Sequence, residues 1–371
     1  MNPVFEYIYA NDLEKLKEAS LNAATVDQAD ENGMTPLAFA AAKASNTEIL
    51  SYLIRLGANV NLKDGFSMTP LMYAAMNPNA EMAETLLENG AHVSDKDENG
   101  MTPLLWAAKE NENPAVGALL VDCGADISER DKKFNVNALM IAAKENANPA
   151  VISLLIALGA PVNATTPNGM TALMLAAGKN INPAITEALI TGGANINARD
   201  EDGYTALLYA AESNINPAVT EFLLTHGAKM RDRNKKGASS LFLAAVRNPA
   251  PAVIRTLVKY GANVHEKDED LGATPLLWAA ALNPNPRIAE ALLAEGADLN
   301  ATANGGRTAL MAAAGGNPNP AVVGFLLEQG TDPAVTDEAG ATALDYAKNN
   351  PALQNTEALS GLFPKRNSSV L

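Results

Sequence analysis

Few residues of this sequence have the types and the spacing that catalysis or metal binding requires. The three histidines, His92, His226 and His265, are far apart in the chain. An enzyme site would combine a nucleophile, a base and an orienting group, or a cluster of metal ligands. Cys123 is the only cysteine, so it cannot form an intramolecular disulfide. We therefore predict that the protein is not an enzyme and holds no metal ion or cofactor.

One acidic segment, residues 95–100, has the pattern of the start of a calcium loop. Oxygen-bearing side chains lie at its first, third and fifth positions and a glycine lies at its sixth. The twelfth position of such a loop must be a bidentate glutamate, and here it is Trp106. The segment is therefore better interpreted as an ordinary surface loop.

The charge of the chain restricts its partners. Acidic residues outnumber basic ones by 42 to 27, which gives a net charge of −15. This charge repels the phosphate backbone that dominates nucleic-acid affinity, so we expect no nucleic-acid partner.

No apolar run approaches the 18 residues or so of a membrane span, so we expect no membrane partner. A single cysteine favours a cytoplasmic protein, or a secreted or periplasmic one if a leader has been removed.

A short motif, Thr-Pro/Ala-Leu and its variants, recurs along the chain at steps of 33 to 35 residues. Its first residues are Thr35, Thr69, Thr102, Asn137, Thr171, Thr205, Ser239, Thr274, Thr308 and Thr342. This period is about the length of one helix-turn-helix unit with its connecting turn. Two short helices cannot bury their apolar faces alone, so the sequence predicts an all-α solenoid of stacked repeats.

Residues 102–131 show how one repeat is built. Thr102 is a good N-cap and Pro103 suits the first helical position, so they predict a first helix. Asn113 and Pro114 predict the start of a second helix in the same way. Gly124 supplies the left-handed residue that ends it. The turn-rich segment that follows predicts a hairpin-like loop, the finger, which leads to the next repeat.

These features together resemble ankyrin repeats, since spacing, caps, paired leucines and a Gly-Ala-Asp/Asn ending recur together over residues 1–363. The Asn-x-Asn-Pro loop between the helices resembles that of some bacterial ankyrin proteins. The resemblance implies a capping half-repeat at residues 1–34, nine repeats at 35–341, a closing repeat at 342–363 and a tail at 364–371. Polar residues of the closing repeat, among them Asp345, Lys348 and Asn350, suit a terminal cap.

Helical spacing predicts which side chains of each first helix face away from the core. In the repeat that begins at Thr102, these are Trp106, Lys109 and Glu110. The equivalent residues, most of them large, form a row on the expected concave side: Phe39, Tyr73, Trp106, Ile141, Leu175, Tyr209, Leu243, Trp278 and Ala312. Aromatic anchors are common at binding hot spots, but each ring could equally pack on the neighbouring repeat.

Charged and finger residues beside this row vary from repeat to repeat. The candidates for partner contact are Lys109, Glu110, Lys144, Glu145 and Arg247 on the first helices and Tyr204, Lys235 and Lys236 on the fingers. Residues 229–259 also form a basic island, with Asp232 as its one acidic residue. A basic island on an acidic protein favours an acidic partner segment, although a solvated loop explains it as well.

We therefore predict a scaffold that binds a partner protein on its concave face and fingers and that is monomeric when unbound. The alternatives are an acidic mimic of nucleic acid, an inhibitor of a partner enzyme, or a structural spacer.

Overall fold

A computed structural model describes residues 3–363 of the 371-residue chain. The described residues form 22 α-helices and two short 3-10 helices, and their only extended pairing consists of isolated bridges. The predicted tail, 364–371, lies outside the described residues. The predicted all-α repeat architecture is confirmed.

The odd-numbered helices are the first helices of the repeats. They are α1 (Pro3–Tyr9), α3 (Pro36–Lys43), α5 (Pro70–Met76), α7 (Pro103–Glu110), α9 (Ala138–Glu145), α11 (Ala172–Lys179), α13 (Ala206–Ser213), α15 (Ser240–Arg247), α17 (Pro275–Leu282), α19 (Ala309–Gly316) and α21 (Ala343–Ala347).

The even-numbered helices are the second helices. They are α2 (Leu13–Glu18), α4 (Glu48–Arg55), α6 (Ala80–Glu88), α8 (Pro114–Asp122), α10 (Pro149–Ala157), α12 (Pro183–Thr191), α14 (Pro217–Thr225), α16 (Pro251–Lys259), α18 (Pro286–Ala294), α20 (Pro320–Glu328) and α22 (Glu357–Gly361).

The caps act as the sequence predicts. The Thr102 hydroxyl accepts a hydrogen bond from the Leu105 N–H, and Pro103 is the first helical residue of α7. The Asn113 side chain accepts from the Ala115 N–H at the start of α8. Gly124 has a φ of 96°, in the left-handed region where a side chain would be strained. In this repeat, local sequence therefore fixes where the two helices begin and where the second one ends.

The described residues form two compact units, 3–176 with 184–195 and 177–183 with 196–363. In the first unit, α1, α3, α5, α7 and α9 pack in sequence, and so do α4, α6, α8 and α10. In the second unit, α13, α15, α17, α19 and α21 pack in sequence, and so do α14, α16, α18, α20 and α22. Leucine, alanine and methionine side chains of these helices form the cores, with Leu71, Met72 and Leu241 fully buried.

Buried asparagines join neighbouring repeats through the turn between the two helices. The Asn111 amide nitrogen donates to the carbonyl oxygens of Ala75 at 2.9 Å and Asn77 at 2.7 Å, both in the preceding repeat. The second unit repeats this arrangement at Asn214, Asn248, Asn283, Asn317 and Asn350. We call these side chains the asparagine ladder. They satisfy carbonyl groups at the ends of the first helices, which would otherwise be unpaired and buried.

Asn350 corrects one detail of the sequence interpretation. We grouped it with the polar residues of the closing cap, but it is buried and donates to the carbonyl oxygens of Ala314 and Asn317, both at 3.0 Å. It is therefore an inner member of the asparagine ladder. Asp345 and Lys348 form an ion pair of 2.7 Å at the surface of the closing repeat.

Candidate functional site

Aromatic side chains of five first helices donate hydrogen bonds to an aspartate of the finger that precedes them. The bonds are Tyr73 Oη to Asp64 Oδ2 (2.6 Å), Trp106 Nε1 to Asp97 Oδ2 (3.2 Å), Tyr209 Oη to Asp200 Oδ2 (2.5 Å), Trp278 Nε1 to Asp268 Oδ2 (2.8 Å) and Tyr346 Oη to Asp337 Oδ2 (2.7 Å). We call each bonded pair an Asp–ring pair.

The same carboxylates also close the turn of the finger. Oδ1 of Asp97 accepts from the backbone N–H groups of Asn99 at 2.8 Å and Met101 at 2.9 Å, while Oδ2 accepts from Trp106. One buried carboxylate thus fixes the finger conformation and ties the finger to the first helix. The rings are partly buried and their polar atoms are bonded within the chain, so in this structure they contribute an apolar face rather than free donors.

The pKa values of Tyr73, Tyr209 and Asp268, which belong to Asp–ring pairs, are shifted from their ordinary values. Burial, followed by the hydrogen bond to Asp64, raises the pKa of Tyr73 well above its ordinary value. Burial and the bond to Asp200 do the same to the pKa of Tyr209. The pKa of Asp268 is lowered although its burial acts in the opposite direction, because the Leu271 N–H and the Trp278 indole stabilise the carboxylate. These bonds therefore favour the neutral forms of Tyr73 and Tyr209 and the charged form of Asp268.

Four repeats lack the ring. Their residues at the ring position are Ile141, Leu175, Leu243 and Ala312, and the matching finger residues are Asp131, Thr166, Asn234 and Ala303. Ile141, Leu243 and Ala312 are buried, so at these repeats the predicted outward-facing row turns into part of the core. Phe39, near the start of the row, packs edge-on against Phe5 with ring centroids 5.2 Å apart. The row of aromatic rings is thus interrupted at the four repeats that have Ile141, Leu175, Leu243 or Ala312.

A cleft of about 500 Å³, which we call cleft one, lies in the first unit where two consecutive repeats lack the ring. Ile141 and Leu175 line it, and Trp106, Met101 and Met170 contribute further apolar surface. Phe134, on the finger of Asp131, lines the cleft and is 61% exposed. An exposed ring beside an apolar cleft is typical of a binding site.

Lysines surround cleft one. Lys109 pairs with Glu110 at 2.6 Å and lies 5.2 Å from the centre of the Trp106 ring. Lys144 pairs with Glu145 at 2.7 Å. The Lys133 ammonium lies 5.1 Å from the centre of the Phe134 ring. Cleft one therefore has apolar walls and a charged rim.

A second cleft of about 540 Å³, cleft two, lies in the second unit at Leu243, which is another repeat without the ring. Tyr204, Trp278 and the exposed Leu282 provide its apolar surface. Its basic lining residues are Lys235, Lys236 and Arg247, and its acidic ones are Asp268, Glu269 and Asp270. Cleft two therefore presents both signs of charge.

Much of the predicted basic island is neutralised by acidic residues of neighbouring repeats. Arg233 pairs with Glu266 at 2.7 Å, Arg247 with Glu212 at 2.6 Å and Lys259 with Glu221 at 2.7 Å. The counterions lie outside residues 229–259, so counting charges within that segment overstated its basicity. Lys235 and Lys236 are exposed at the finger tip, at the edge of cleft two.

The two clefts bring together nine of the thirteen predicted contact residues. Cleft one contains Trp106, Lys109, Lys144 and Glu145, and cleft two contains Tyr204, Lys235, Lys236, Arg247 and Trp278. Phe39, Tyr73, Glu110 and Tyr209 line neither. The sequence reasoning missed the aspartates of the Asp–ring pairs, although an aspartate nine or ten residues before each tyrosine or tryptophan is a signal that could have revealed them. It also missed Phe134 as an exposed anchor.

Two further searches covered the described residues. Residues 3–363 contain no group of three or more histidine, cysteine, aspartate or glutamate side chains arranged to hold a metal ion. None of the described helices has the length and apolar character needed to cross a membrane.

A family model described as ankyrin repeats (3 copies) matches the chain in overlapping segments, residues 5–97, 41–131, 104–200, 139–234, 175–268, 213–303 and 276–368. These matches span almost the whole sequence, so the chain belongs to the ankyrin-repeat family. Proteins of this family are in general protein–protein interaction scaffolds and typically are not enzymes. A comparison with curated proteins found no match.

Proposed function

We propose that this ankyrin-repeat protein binds a partner protein along the first helices and fingers, with cleft one as the principal contact and cleft two as a second one. The observation that carries the proposal is the position of Phe134. This ring is 61% exposed at the edge of an apolar cleft of about 500 Å³.

The physical support comes from the free energy of apolar surface. Burying such surface contributes roughly 25 cal/mol per Å², and large rings at the centre of an interface dominate binding energy. Within the chain, the Lys133 ammonium lies over the Phe134 ring. A partner that covers Phe134 and fills cleft one removes this apolar surface from water. The charged rim of lysines and glutamates then sets the orientation of the partner.

Cleft two supports the same mode of binding at a second place. Its basic wall contains Lys235 and Lys236 at a finger tip, and its acidic wall contains Asp268 and Asp270. A partner segment that carries charges in the complementary order gains specificity from both walls. Such exposed pairs contribute more to orientation and association rate than to affinity.

The test is affinity capture with intact protein and with a Phe134→Ser variant, followed by mass spectrometry of the retained proteins. Phe66→Ser is the matched control, because Phe66 is also a finger phenylalanine and is 60% exposed but does not line cleft one. Circular dichroism confirms that both variants fold.

We expect a protein that the intact chain and Phe66→Ser retain and that Phe134→Ser loses. Equal retention by all three forms would exclude cleft one as the principal contact. Loss restricted to Lys235→Ala, Lys236→Ala double variants would instead assign the principal contact to cleft two.

A further inference from the structure

We propose that cleft one receives a tyrosine or tryptophan side chain of the partner, whose O–H or N–H donates a hydrogen bond to Asp131. This inference rests on the proposed function and specifies the chemistry of its principal contact. The partner ring would bond Asp131 as the chain's own rings bond their aspartates in the Asp–ring pairs.

The repeat register places Asp131 among the finger aspartates. It corresponds to Asp97 in the preceding finger, which accepts from Trp106. The residue that would supply the ring to Asp131 is Ile141, which has no donor. At the other repeats without a ring, the finger residue is Thr166, Asn234 or Ala303. Among the four repeats without a ring, only the repeat of Asp131 and Ile141 therefore has an aspartate at this finger position.

The hydrogen bonds of Asp131 leave acceptor capacity on its carboxylate. Oδ1 accepts from the Val136 N–H at 2.8 Å, and both oxygens share the Phe134 N–H at 3.2 to 3.3 Å. A carboxylate has about four acceptor sites on its two oxygens. Asp131 is only 8% exposed and lines cleft one. Oδ2 has only the long, shared bond, and a buried carboxylate oxygen in this state gains from an additional donor.

The walls of the cleft suit an aromatic ring. Leu175, in the next repeat, also lacks a ring, so two neighbouring ring positions carry aliphatic side chains, and both of these side chains line the cleft. Met101 and Met170 lie at the walls, and thioether sulfur makes favourable contacts with aromatic rings. Trp106 offers a further ring for edge or offset stacking.

The rim argues for a neutral donor rather than a cation. Lys109, Lys133 and Lys144 all line cleft one. Of these, Lys109 and Lys144 are already paired with Glu110 and Glu145. A lysine or arginine of the partner would therefore meet the repulsion of Lys133 and would compete for carboxylates that are already paired, which costs free energy. The phenol of tyrosine and the indole of tryptophan carry a polar hydrogen without a charge. They therefore satisfy Asp131 without this repulsion.

The experiment observes the methionine methyl groups by NMR while small probes are added. The probes are N-acetyl-tyrosinamide, N-acetyl-tryptophanamide and N-acetyl-phenylalaninamide, the last of which has a ring but no polar hydrogen on it. Met101 and Met170 report on cleft one. Met68 is the internal control, because it occupies the place of Met101 in the finger of Asp64, where Tyr73 already bonds the aspartate.

We expect the tyrosine and tryptophan probes to shift the Met101 and Met170 signals saturably and to leave Met68 unchanged. The phenylalanine probe should bind about tenfold more weakly, because it cannot donate to the carboxylate. Equal affinities of the tyrosine and phenylalanine probes, or equal shifts at Met68, would overturn the proposal.

Two variants test the role of Asp131 itself. Asp131→Asn keeps an acceptor for the finger, as Asn234 does naturally when it accepts from the N–H groups of Lys236 and Ala238. It should reduce the preference for tyrosine over phenylalanine to less than about threefold, because a neutral acceptor forms a weaker bond. A preference that stays unchanged in this variant would contradict the proposal.

Ile141→Trp restores a ring from within the chain and should abolish binding of all three probes. Ile215→Trp is the matched control, since Ile215 is exposed in a turn and does not line cleft one. Unchanged probe binding in Ile141→Trp would also overturn the proposal. If the probes bind as expected but Phe134→Ser still captures every partner, the proposed function fails while the chemistry of the cleft stands.

Discussion

At the scale of single residues, the aspartate of each Asp–ring pair accepts hydrogen bonds both from its own finger and from the following helix. Asp268 accepts from the backbone N–H groups of Leu271 and Ala273 within its finger and from the Trp278 indole on the following helix. The finger and the helix are therefore held by the same charged group. Because such bonds are charge-assisted, they are stronger than bonds between neutral groups.

Replacing Trp278 with phenylalanine tests this bond. Trp278→Phe keeps most of the apolar surface but removes the N–H donor to Asp268, so we expect a loss of about 1–2 kcal/mol in the free energy of unfolding. Urea denaturation measures this loss. A double-mutant cycle with Asp268→Ala, which removes the acceptor, is the control, because two residues that bond each other give non-additive losses. Additive losses would show that the indole stabilises the protein by packing alone.

The tyrosines of the Asp–ring pairs predict sensitivity to alkaline pH. The pKa values of Tyr73 and Tyr209 are raised in the folded state, by burial first and by the aspartate bond second. Their stabilising contribution is complete below the unfolded tyrosine pKa of about 10 and is lost as pH rises towards the folded values. We expect the free energy of unfolding to fall above about pH 10.

Phenolate absorbance checks this prediction directly. In the folded protein, the signals of Tyr73 and Tyr209 should be missing near pH 10 and should return on unfolding. Asp64→Asn should lower the pKa of Tyr73 without affecting that of Tyr209. Full ionisation of every tyrosine at about pH 10 in the folded protein would contradict the assigned bonds.

At the scale of elements, the asparagine ladder stabilises the contact between repeats. Asn214 is buried, and its amide donates to the carbonyl oxygens of Ala177 and Asn180, both at 2.8 Å. Its side-chain oxygen accepts from the Asn216 N–H at 2.9 Å. One side chain thus satisfies three backbone groups.

Removing this side chain should be costly. Asn214→Ala leaves two carbonyl oxygens and one N–H without their partner, and we expect a loss of about 2–4 kcal/mol in the free energy of unfolding. Thermal or urea denaturation measures it. Ile215→Ala is the neighbouring control, since Ile215 is exposed and should change stability by less than about 0.5 kcal/mol. Equal effects of the two substitutions would show that the ladder bonds contribute nothing.

The helix α16 lacks a side-chain N-cap, and introducing one should stabilise the protein. Ala250 precedes Pro251 at the start of α16 and forms no side-chain cap, whereas Asn216 and Asn285 cap α14 and α18. The backbone angles at Ala250 are close to those at Asn285, so asparagine fits without strain. Ala250→Asn should raise the free energy of unfolding by about 1 kcal/mol. Ala250→Leu, which cannot cap, should give no such gain.

The sequence was sufficient to predict the ends of helices, because these depend on local chemistry. Threonine caps, prolines at the first helical position and glycines at positive φ act within a few residues, so the helix ends were predicted from them. The partners of Asn214 lie 34 and 37 residues away, and the direction of an amide towards a carbonyl of another repeat cannot be derived from the periodicity alone. Cleft one was not predicted for a related reason. It lies where two consecutive repeats have Ile141 and Leu175 in place of a ring, and the contacts between repeats cannot be derived from the periodicity.

At the scale of the whole molecule, the net charge of −15 outweighs the ion pairs. Ion pairs with two exposed members, such as Lys259 with Glu221, contribute little each. The uncompensated negative charge repels itself throughout the folded chain.

Salt should therefore stabilise the protein. Raising the sodium chloride concentration from about 0.01 to about 0.3 M screens the repulsion between exposed charges, and we expect the Tm to rise by a few degrees. Differential scanning calorimetry measures it, with a Tm at matched sucrose concentrations as a control for non-ionic effects. A lower Tm at high salt would show that favourable ion pairs dominate the electrostatic free energy.

The asparagine ladder also has a consequence for how the gene can change. In the second unit, each amide bonds carbonyl groups at equivalent places in the preceding repeat, 33 to 38 residues earlier. Recombination that duplicates or deletes a whole repeat presents the same partners at the new junction, whereas an insertion within a first helix misaligns them. The single extra residues that distinguish two repeats lie instead in the fingers before Asn137 and Thr274, beside the two clefts. Chain length and binding surface can therefore evolve separately.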